Sequence, residues 1–548
     1  MANLNNFIIK DKRFYYNQLF YDYLFNFGHL KDFYHYDYRS PASYHERAGQ
    51  VLKNYNRGYR KRLAGALKKY NGELGAGQKT LKNIGKLSKE NSLMVIGGQQ
   101  PVFLGGPLFM IYKAITVIKL AACLKQELGV EVIPCFWNAS DDSNISQVDH
   151  INLIGRNLKN ISIKRLPENI RYSDLGLNQD QIDEIIDQLD RNLIPTDFKQ
   201  SLVDFIGESL SCAEQNGKIS FSKTFSSFML KLFSRWGLVI IDPAMEEIKQ
   251  LSSDLIEKDI DLGIKAGELI DDAGIRLKDG GYHAQLKNRG NYLNFFVTRD
   301  GNREKIKTDG RQYRWEGQIF SAGQIKEKFA GCMSDLSFNV VLRPIIQDSL
   351  FPVVATVCGP GEISYFAQLG PVYKLYGVQM PVIYPRFSAT LIEKRVNKSL
   401  EKYGIDYRYI WEELGFIEKQ VLKRHMDVDI NRAVQDLNSK ITENIEEAEK
   451  ALSESLMNIS STFDRIKRNI DRETTVLGHK LYSQYKKQNQ HIKKAVEKIK
   501  LNLLPHGNMQ EREISVISYI NKYDFRLIDE IYNEFRCFDF GHKMIEVE

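Results

Sequence analysis

The stretch Leu93-Met94-Val95-Ile96-Gly97-Gly98-Gln99-Gln100-Pro101-Val102-Phe103-Leu104-Gly105-Gly106-Pro107 decides how this chain is read. A short apolar run suited to a strand enters a loop with four glycines, and Pro107 suits the first turn of a helix. The apolar pattern carries that helix to about Glu127, and Val130–Trp137 reads as a second strand. Strand, glycine loop, helix, strand is the grammar of a parallel βαβ unit. Glycines let a backbone approach a ligand closely, and a helix N-terminus favours phosphate or carboxylate. Gly97, Gly98, Gly105 and Gly106 are therefore candidates to hold a cofactor's phosphates, and Gln99 and Gln100 add neutral donors and acceptors. The loop has no Gly-Lys-Ser/Thr and no G-x-G-x-x-G, so it supports neither a P-loop nor nicotinamide or flavin binding.

Working outward, the same grammar recurs. Val353–Val357 reads as a strand, Cys358-Gly359-Pro360-Gly361-Glu362 as a turn, Ile363–Tyr376 as a helix and Pro381–Tyr384 as the next strand. Leu238–Ile241, closed by Asp242-Pro243, is a further strand candidate. Together they predict an α/β fold with an open, Rossmann-like doubly wound core, whose ligands bind at the carboxyl ends of the strands. Residues 1–90 and 150–235 read as mainly helical. Residues 244–335 read as a second insertion, with Tyr292–Thr298 and the turn Arg299-Asp300-Gly301-Asn302 forming a β-hairpin.

Bulk properties narrow the class. The 548 residues exceed one domain, 43% are apolar, and the net charge of +7 is spread without a dense basic block. Nucleic-acid binding is not indicated. No apolar run reaches the roughly 20 residues of a membrane span, and the first residues show no apolar signal segment. The cysteines at 123, 135, 212, 332, 358 and 537 form no C-x-x-C pair and no zinc spacing, so no metal site is expected. Reduced thiols in a cytoplasmic protein are the expectation. Cys358, in a glycine turn, is the one candidate nucleophile among them.

Several polar groups follow the strands. Trp137 opens into Asn138-Ala139-Ser140-Asp141-Asp142-Ser143-Asn144, where Asp141 and Asp142 are candidates to bind a metal, a sugar hydroxyl or an amine, or to act as a base. The segment Asn339-Val-Val-Leu-Arg343-Pro-Ile-Ile-Gln347-Asp348 places an arginine before a proline, which disfavours helical geometry there. Arg343 suits bidentate recognition of a carboxylate or phosphate. Glu362 either caps its helix or acts as an acid or base, with Tyr365 and Gln368 on the same first turns.

Beyond Lys394 the pattern changes. Apolar residues at 430, 434, 437, 441, 445, 448, 452, 456, 459, 463, 466 and 470 recur with a period of about 3.64 residues, nearer an eleven-residue repeat than a heptad. This predicts one long amphipathic helix with a coiled-coil seam, and Ile492, Val496, Ile499 and Leu503 form a shorter second seam. A helical hairpin or an intermolecular coil would bury both. The expected organisation is 1–150, the N-terminal part of the core; 151–335, inserted segments and the strand 238–243; 336–393, the second half of the core; 394–504, a coiled coil; and 505–548, a return to the core.

Gly98-Gln99-Gln100, Gly106-Pro107-Leu108, Lys113-Ala114-Ile115, Phe136-Trp137, Arg343-Pro344, Gln347-Asp348, Gly359-Pro360-Gly361-Glu362-Ile363, Tyr365, Pro385-Arg386, Asp300-Gly301-Asn302-Arg303, Asn521-Lys522-Tyr523 and His542-Lys543 occur in the order of the BshC family. The chain resembles that family from about residue 90 to 545. The resemblance implies a Rossmann-like core, a coiled-coil arm forming a homodimer, and the last step of bacillithiol biosynthesis: a cysteine ligase joins L-cysteine to the amine of glucosaminyl-malate. It implies substrate contacts from Gln99, Gln100, Lys113, Asn138, Asn339, Arg343, Gln347, Asp348, Tyr365, Gln368 and Arg386, and catalysis by Asp141, Asp142 and Glu362. Amide formation from a free carboxylate is uphill, so ATP or ADP with magnesium is the expected cofactor. After Trp137 the family pattern resembles Ala-Gly-Glu-Asp-His-Asp-Phe, whereas Ser143 and Asn144 stand here for its histidine and second aspartate. A diverged ligase or transferase on another amino sugar or amino acid, or a non-catalytic scaffold, stays open on these residues.

Overall fold

The computed structural model describes residues 8–548 other than 216, 288–289, 300–301, 427–428, 454 and 457–458. Two units are distinct: residues 1–391 with 508–548, and residues 392–507.

The first unit is built on a five-stranded parallel sheet of β1 (Ser92–Gln99), β2 (Glu131–Asn138), β3 (Val239–Ile241), β4 (Val353–Cys358) and β5 (Val382–Pro385). Its order is β5-β4-β1-β2-β3. The chain winds outward from β1 to β3, then restarts beside β1 and winds the other way. The doubly wound reading is thus correct, and the switch point lies between β1 and β4. The strands are apolar on both faces because helices cover both, and Met94, Val95, Ile96, Phe136, Ile240 and Val357 are fully buried or nearly so. Helix α1 (Leu108–Leu128) follows β1 and ends at Gly129, in the left-handed region at φ +66°.

Between β3 and β4 the chain forms α2 (Glu246–Leu251), α3 (Ser253–Asp279) and a five-stranded antiparallel sheet. Tyr292–Arg299 pairs with Asn302–Thr308, as expected for a hairpin, and Arg299 faces Asn302. The turn residues Asp300 and Gly301 lie outside the described residues. The sheet is larger than the expected hairpin: Tyr313–Trp315, Gln318–Phe320 and Leu336–Phe338 complete it. Residues 150–235 also differ from the all-helical reading, since His150–Ile154 and Leu158–Ser162 form an antiparallel pair.

Helix α4 (Leu342–Leu350) contains Arg343 and Pro344. The expectation that Pro344 pushes Arg343 out of helical geometry is incorrect: the Arg343 N–H donates to Asn339 O at 3.0 Å. Pro344 sits in the first helical turn, where its missing N–H leaves no bond broken. Helix α5 (Pro360–Tyr376) starts three residues before its expected Ile363.

The second unit is helical. Its seam is not one long helix: α6 (Ile430–Ser453) and α7 (Ser460–Gln488) fold back on each other, and α8 (Gln490–Leu503) follows. The pairs Lys467–Glu449 at 2.8 Å and Asn438–Asp471 at 3.1 Å fix the two arms as antiparallel. Among the described residues no helix is long and apolar enough to cross a membrane.

Candidate active site

A cavity of about 780 Å³ opens at the carboxyl ends of β1, β2 and β4, where an open α/β sheet binds its ligands. One wall comes from the core: Gly98, Gln99 and Gln100 after β1, Trp137, Ala139, Asp141 and Asp142 after β2, Glu362 and Tyr365 on α5, and Asn339 and Arg343 at α4. The opposite wall comes from the insertion, including Asn294, Phe296, Arg303, Lys305 and Phe338.

Each of the three candidate catalytic carboxylates reaches the cavity, and each is held by its own cation. The buried Lys113 ammonium donates to Glu362 Oε2, to Gly98 O, and at 3.0 Å to Gln99 Oε1. Glu362 Oε2 also accepts the Gly359 N–H at 2.7 Å, closing the N-terminus of α5. Glu362 is therefore a cap and a cavity group at once, and its pair with Lys113 spans the switch point. Burial pushes the Lys113 pKa down, and Glu362 opposes that. Asp141 is bound by buried Lys249 at 2.9 and 2.7 Å. Asp142 accepts from Arg303 at 3.1 Å, from the Ser143 N–H at 2.8 Å and from Gln100. Its side chain is 40% exposed, against 7% for Asp141, so Asp142 is the more open of the two toward a ligand.

Arg343 has a different status. Its guanidinium donates to Gln347 Oε1 at 3.1 Å and to the Tyr365 hydroxyl at 3.3 Å, both neutral. Among the described residues no carboxylate makes an ion pair with it at contact distance, although Glu362 and Asp348 act on it through space, and Lys305 and Lys287 on the opposite wall make no such pair either. With the three carboxylates already paired, the cavity carries surplus positive charge. Such charge in a concave site suits an anionic ligand.

The expected site residues divide accordingly. Asp141, Asp142, Glu362, Gln99, Gln100, Asn339, Arg343, Tyr365 and Gly98 line the cavity. Lys113, Asn138, Gln347, Asp348, Gln368 and Arg386 do not, and each is engaged within the protein. All three Lys113 N–H groups are taken up. Asn138 donates to Ser222 O and Ser226 Oγ. Gln347 sits behind Arg343 and donates to Asp348, whose carboxyl burial raises to about 6 and which accepts from Tyr373 at 2.5 Å. Gln368 clamps the backbone of Ile270 and Leu286. Arg386 is buried against Glu511 at 2.6 Å.

The glycine loop also needs correction. A Cβ on Gly97 would lie 2.7 Å from Val117, and one on Gly106 2.8 Å from Val102. At Gly105, with φ +77°, it would lie 2.4 Å from Phe228. These three glycines serve packing and turning. The first N–H of α1, at Leu108, is taken by Ile514 O at 2.9 Å. The loop thus does not fit the phosphate cradle expected of it. Cys358 is buried, which pushes its thiol far from reactivity. Cys123 and Cys537 form a disulfide, contrary to the expectation of six reduced thiols.

Family models match both units of the chain: "Bacillithiol biosynthesis BshC, N-terminal Rossmann-like domain" over residues 4–387, and "Bacillithiol biosynthesis BshC, C-terminal coiled-coil domain" over residues 389–547. The chain belongs to the BshC family. A relative from Salinibacter ruber, named "Putative cysteine ligase BshC", is 30% identical over 96% of both chains. One of the same name from Natranaerobius thermophilus is 29% identical over 94% of this chain and 95% of its own. Another from Geobacillus thermodenitrificans is 28% identical over 86% and 87%. The BshC match agrees with the resemblance drawn from the residues and with the Rossmann-like and coiled-coil division.

Proposed function

We propose that this protein is a cysteine ligase of bacillithiol biosynthesis that joins the carboxyl of L-cysteine to the amine of glucosaminyl-malate. The observation that carries this reading is the cavity's charge pattern: Arg343 on the core wall and Lys305 on the inserted wall, neither in an ion pair at contact distance, beside the paired carboxylates of Asp141, Asp142 and Glu362. The cations suit the malate carboxylates, and the open Asp142 suits the amine. The reaction joins the cysteine carbonyl carbon to the amine nitrogen with net loss of water; the ammonium must lose one proton before it attacks, and the nitrogen loses a second as the amide forms. We take Asp142 as the group that accepts the first proton, a reading supported by Arg303 and Gln100 steadying it while much of it stays open.

Activation of the cysteine carboxylate by ATP with magnesium is the chemical expectation, since the bond formed is uphill in water. The glycine loop does not fit as its phosphate site, so no step is assigned to it here. A homodimer is part of the reading. The α6–α7 hairpin leaves Leu437, Leu452, Leu477 and Leu481 well exposed, an apolar stripe suited to a second copy. The cytoplasm, where the small-molecule substrates are expected, is the proposed compartment.

The test is a mass-spectrometric assay of the purified protein with glucosaminyl-malate, cysteine and ATP–magnesium. A bacillithiol mass that disappears when ATP is omitted supports the reading. No product, in an assay where a BshC relative works, overturns it.

A further inference from the structure

Lys249, on α2, is 108 residues from Asp141 in sequence and had no place among the expected site residues. Its side chain is 2% exposed. Its three N–H groups are all used: two on the Asp141 oxygens, and one on Leu336 O at 2.6 Å. The ammonium lies 4.6 Å from the centre of the Phe338 ring, which lines the cavity. Leu336 and Phe338 belong to the inserted sheet, whereas Asp141 belongs to the core. Ser140, next to Asp141, donates to Asp242, which ends β3 and accepts the Ala244 N–H at 2.9 Å. The turn carrying Asp141 and the segment leading to Lys249 thus share one buried anchor.

We infer that Lys249 is a positioning residue that holds the Asp141 carboxylate fixed in the cavity wall while tying the inserted sheet to the core. Because Lys249 occupies both Asp141 oxygens, the proton-accepting work falls to Asp142. This consequence rests on the ligase reading, whereas the ion pair itself does not. The other charged groups facing the pair are Asp142, Asp242, Arg171 and Arg303. Without the ammonium, Asp141 is a buried carboxylate beside two others, a setting that favours its protonated form.

The test compares the full-length wild type with Lys249→Met, Lys249→Arg and the double variant Lys249→Met/Asp141→Asn, from about pH 5 to about pH 8. Raising the folded-state pKa of Asp141 above its unfolded value of about 3.9 gives stability that is complete below that value and lost as pH rises through the folded one. Lys249→Met should therefore fall further below the wild type in Tm as pH rises. The double variant should track the wild type's pH dependence. In the ligase assay, kcat/KM should fall by about tenfold or more in Lys249→Met, carried by kcat, and be largely restored in Lys249→Arg. A Tm deficit independent of pH overturns the inference. A pH-dependent deficit with an unchanged kcat/KM in Lys249→Met reduces Lys249 to a structural role and also overturns it. If the wild type makes no product, the ligase reading fails, and the Tm comparison alone decides whether Lys249 holds Asp141 charged.

Discussion

Arg343→Ala is the sharpest perturbation of the site. The guanidinium is the deep cation of the cavity, and it is held in place by neutral partners, Gln347 and Tyr365. A carboxylate ligand met by its fork gains two charge-assisted hydrogen bonds, each of about 1.5–3 kcal/mol. Losing both costs about 3–6 kcal/mol of transition-state binding, or roughly 100- to 10,000-fold in kcat/KM at about 1.36 kcal/mol per tenfold. Folding should be weakened by about 1–3 kcal/mol, because the buried Gln347 Oε1 loses its donor and the nearby Glu362 and Asp348 carboxylates lose a stabilising charge. Arg343→Lys keeps the charge but not the planar fork, and should fall between wild type and alanine. The assay is steady-state kinetics against glucosaminyl-malate, with thermal unfolding as the control. A folded Arg343→Ala within about threefold of wild type would refute the assignment of this arginine to the substrate.

Lys113→Met should behave in the opposite way, as a stability variant first. It leaves Glu362 Oε2 and two further acceptors without their buried donor, a loss of about 3–5 kcal/mol visible in denaturant unfolding, and Glu362→Gln in the same chain should restore part of it. Gly105→Ala should cost about 2–4 kcal/mol, from the left-handed backbone and the Phe228 ring, while KM in the surviving protein stays unchanged because the residue is off the cavity wall. Leu437→Glu with Leu477→Glu should convert a dimer to a monomer in light scattering. A wild type that is itself monomeric at micromolar concentration would contradict the proposed pairing.

The core was legible because its strands are apolar throughout and are punctuated by glycine, proline and aspartate. β1, β2, β4 and β5 fall within a few residues of their expected places. The inserted sheet was less so: Tyr313–Trp315, Gln318–Phe320 and Leu336–Phe338 are three residues each, too short to show a period. The hairpin break between Ser453 and Ser460 was hidden because both arms present the same apolar spacing to a common seam, so the pattern runs on through the turn. At the site, groups at the strand ends were found, since the sheet itself brings them together. Lys249, Arg303, Lys305 and Asn294 were missed as site residues, because only the tertiary fold brings them to the cavity. Gln347, Asp348, Gln368 and Arg386 were read as ligand contacts because a polar side chain in an apolar helix looks the same in sequence whether it faces a ligand or a buried partner.

The altered turn takes on a definite meaning in this geometry. Ser143 stands where the family pattern carries histidine. Among the described residues no histidine lines the cavity, so in the proposed reaction its carboxylates are the candidates to receive the amine proton. Of these, Asp141 is locked by Lys249, and Glu362 is held by Lys113 and by its own helix cap. Asp142 stays open, and the Ser143 N–H bonds one of its oxygens at 2.8 Å. Arg303, reaching Asp142 from the inserted sheet, lies 3.5 Å from the Ser143 hydroxyl. The small side chain at 143 thus leaves room for a guanidinium beside the aspartate. Arg303 belongs to a block that the sequence shares with the family, so its tether to Asp142 stands independently of the change at 143, and in the proposed reaction the steadied Asp142 carboxylate is the group left to take the amine proton.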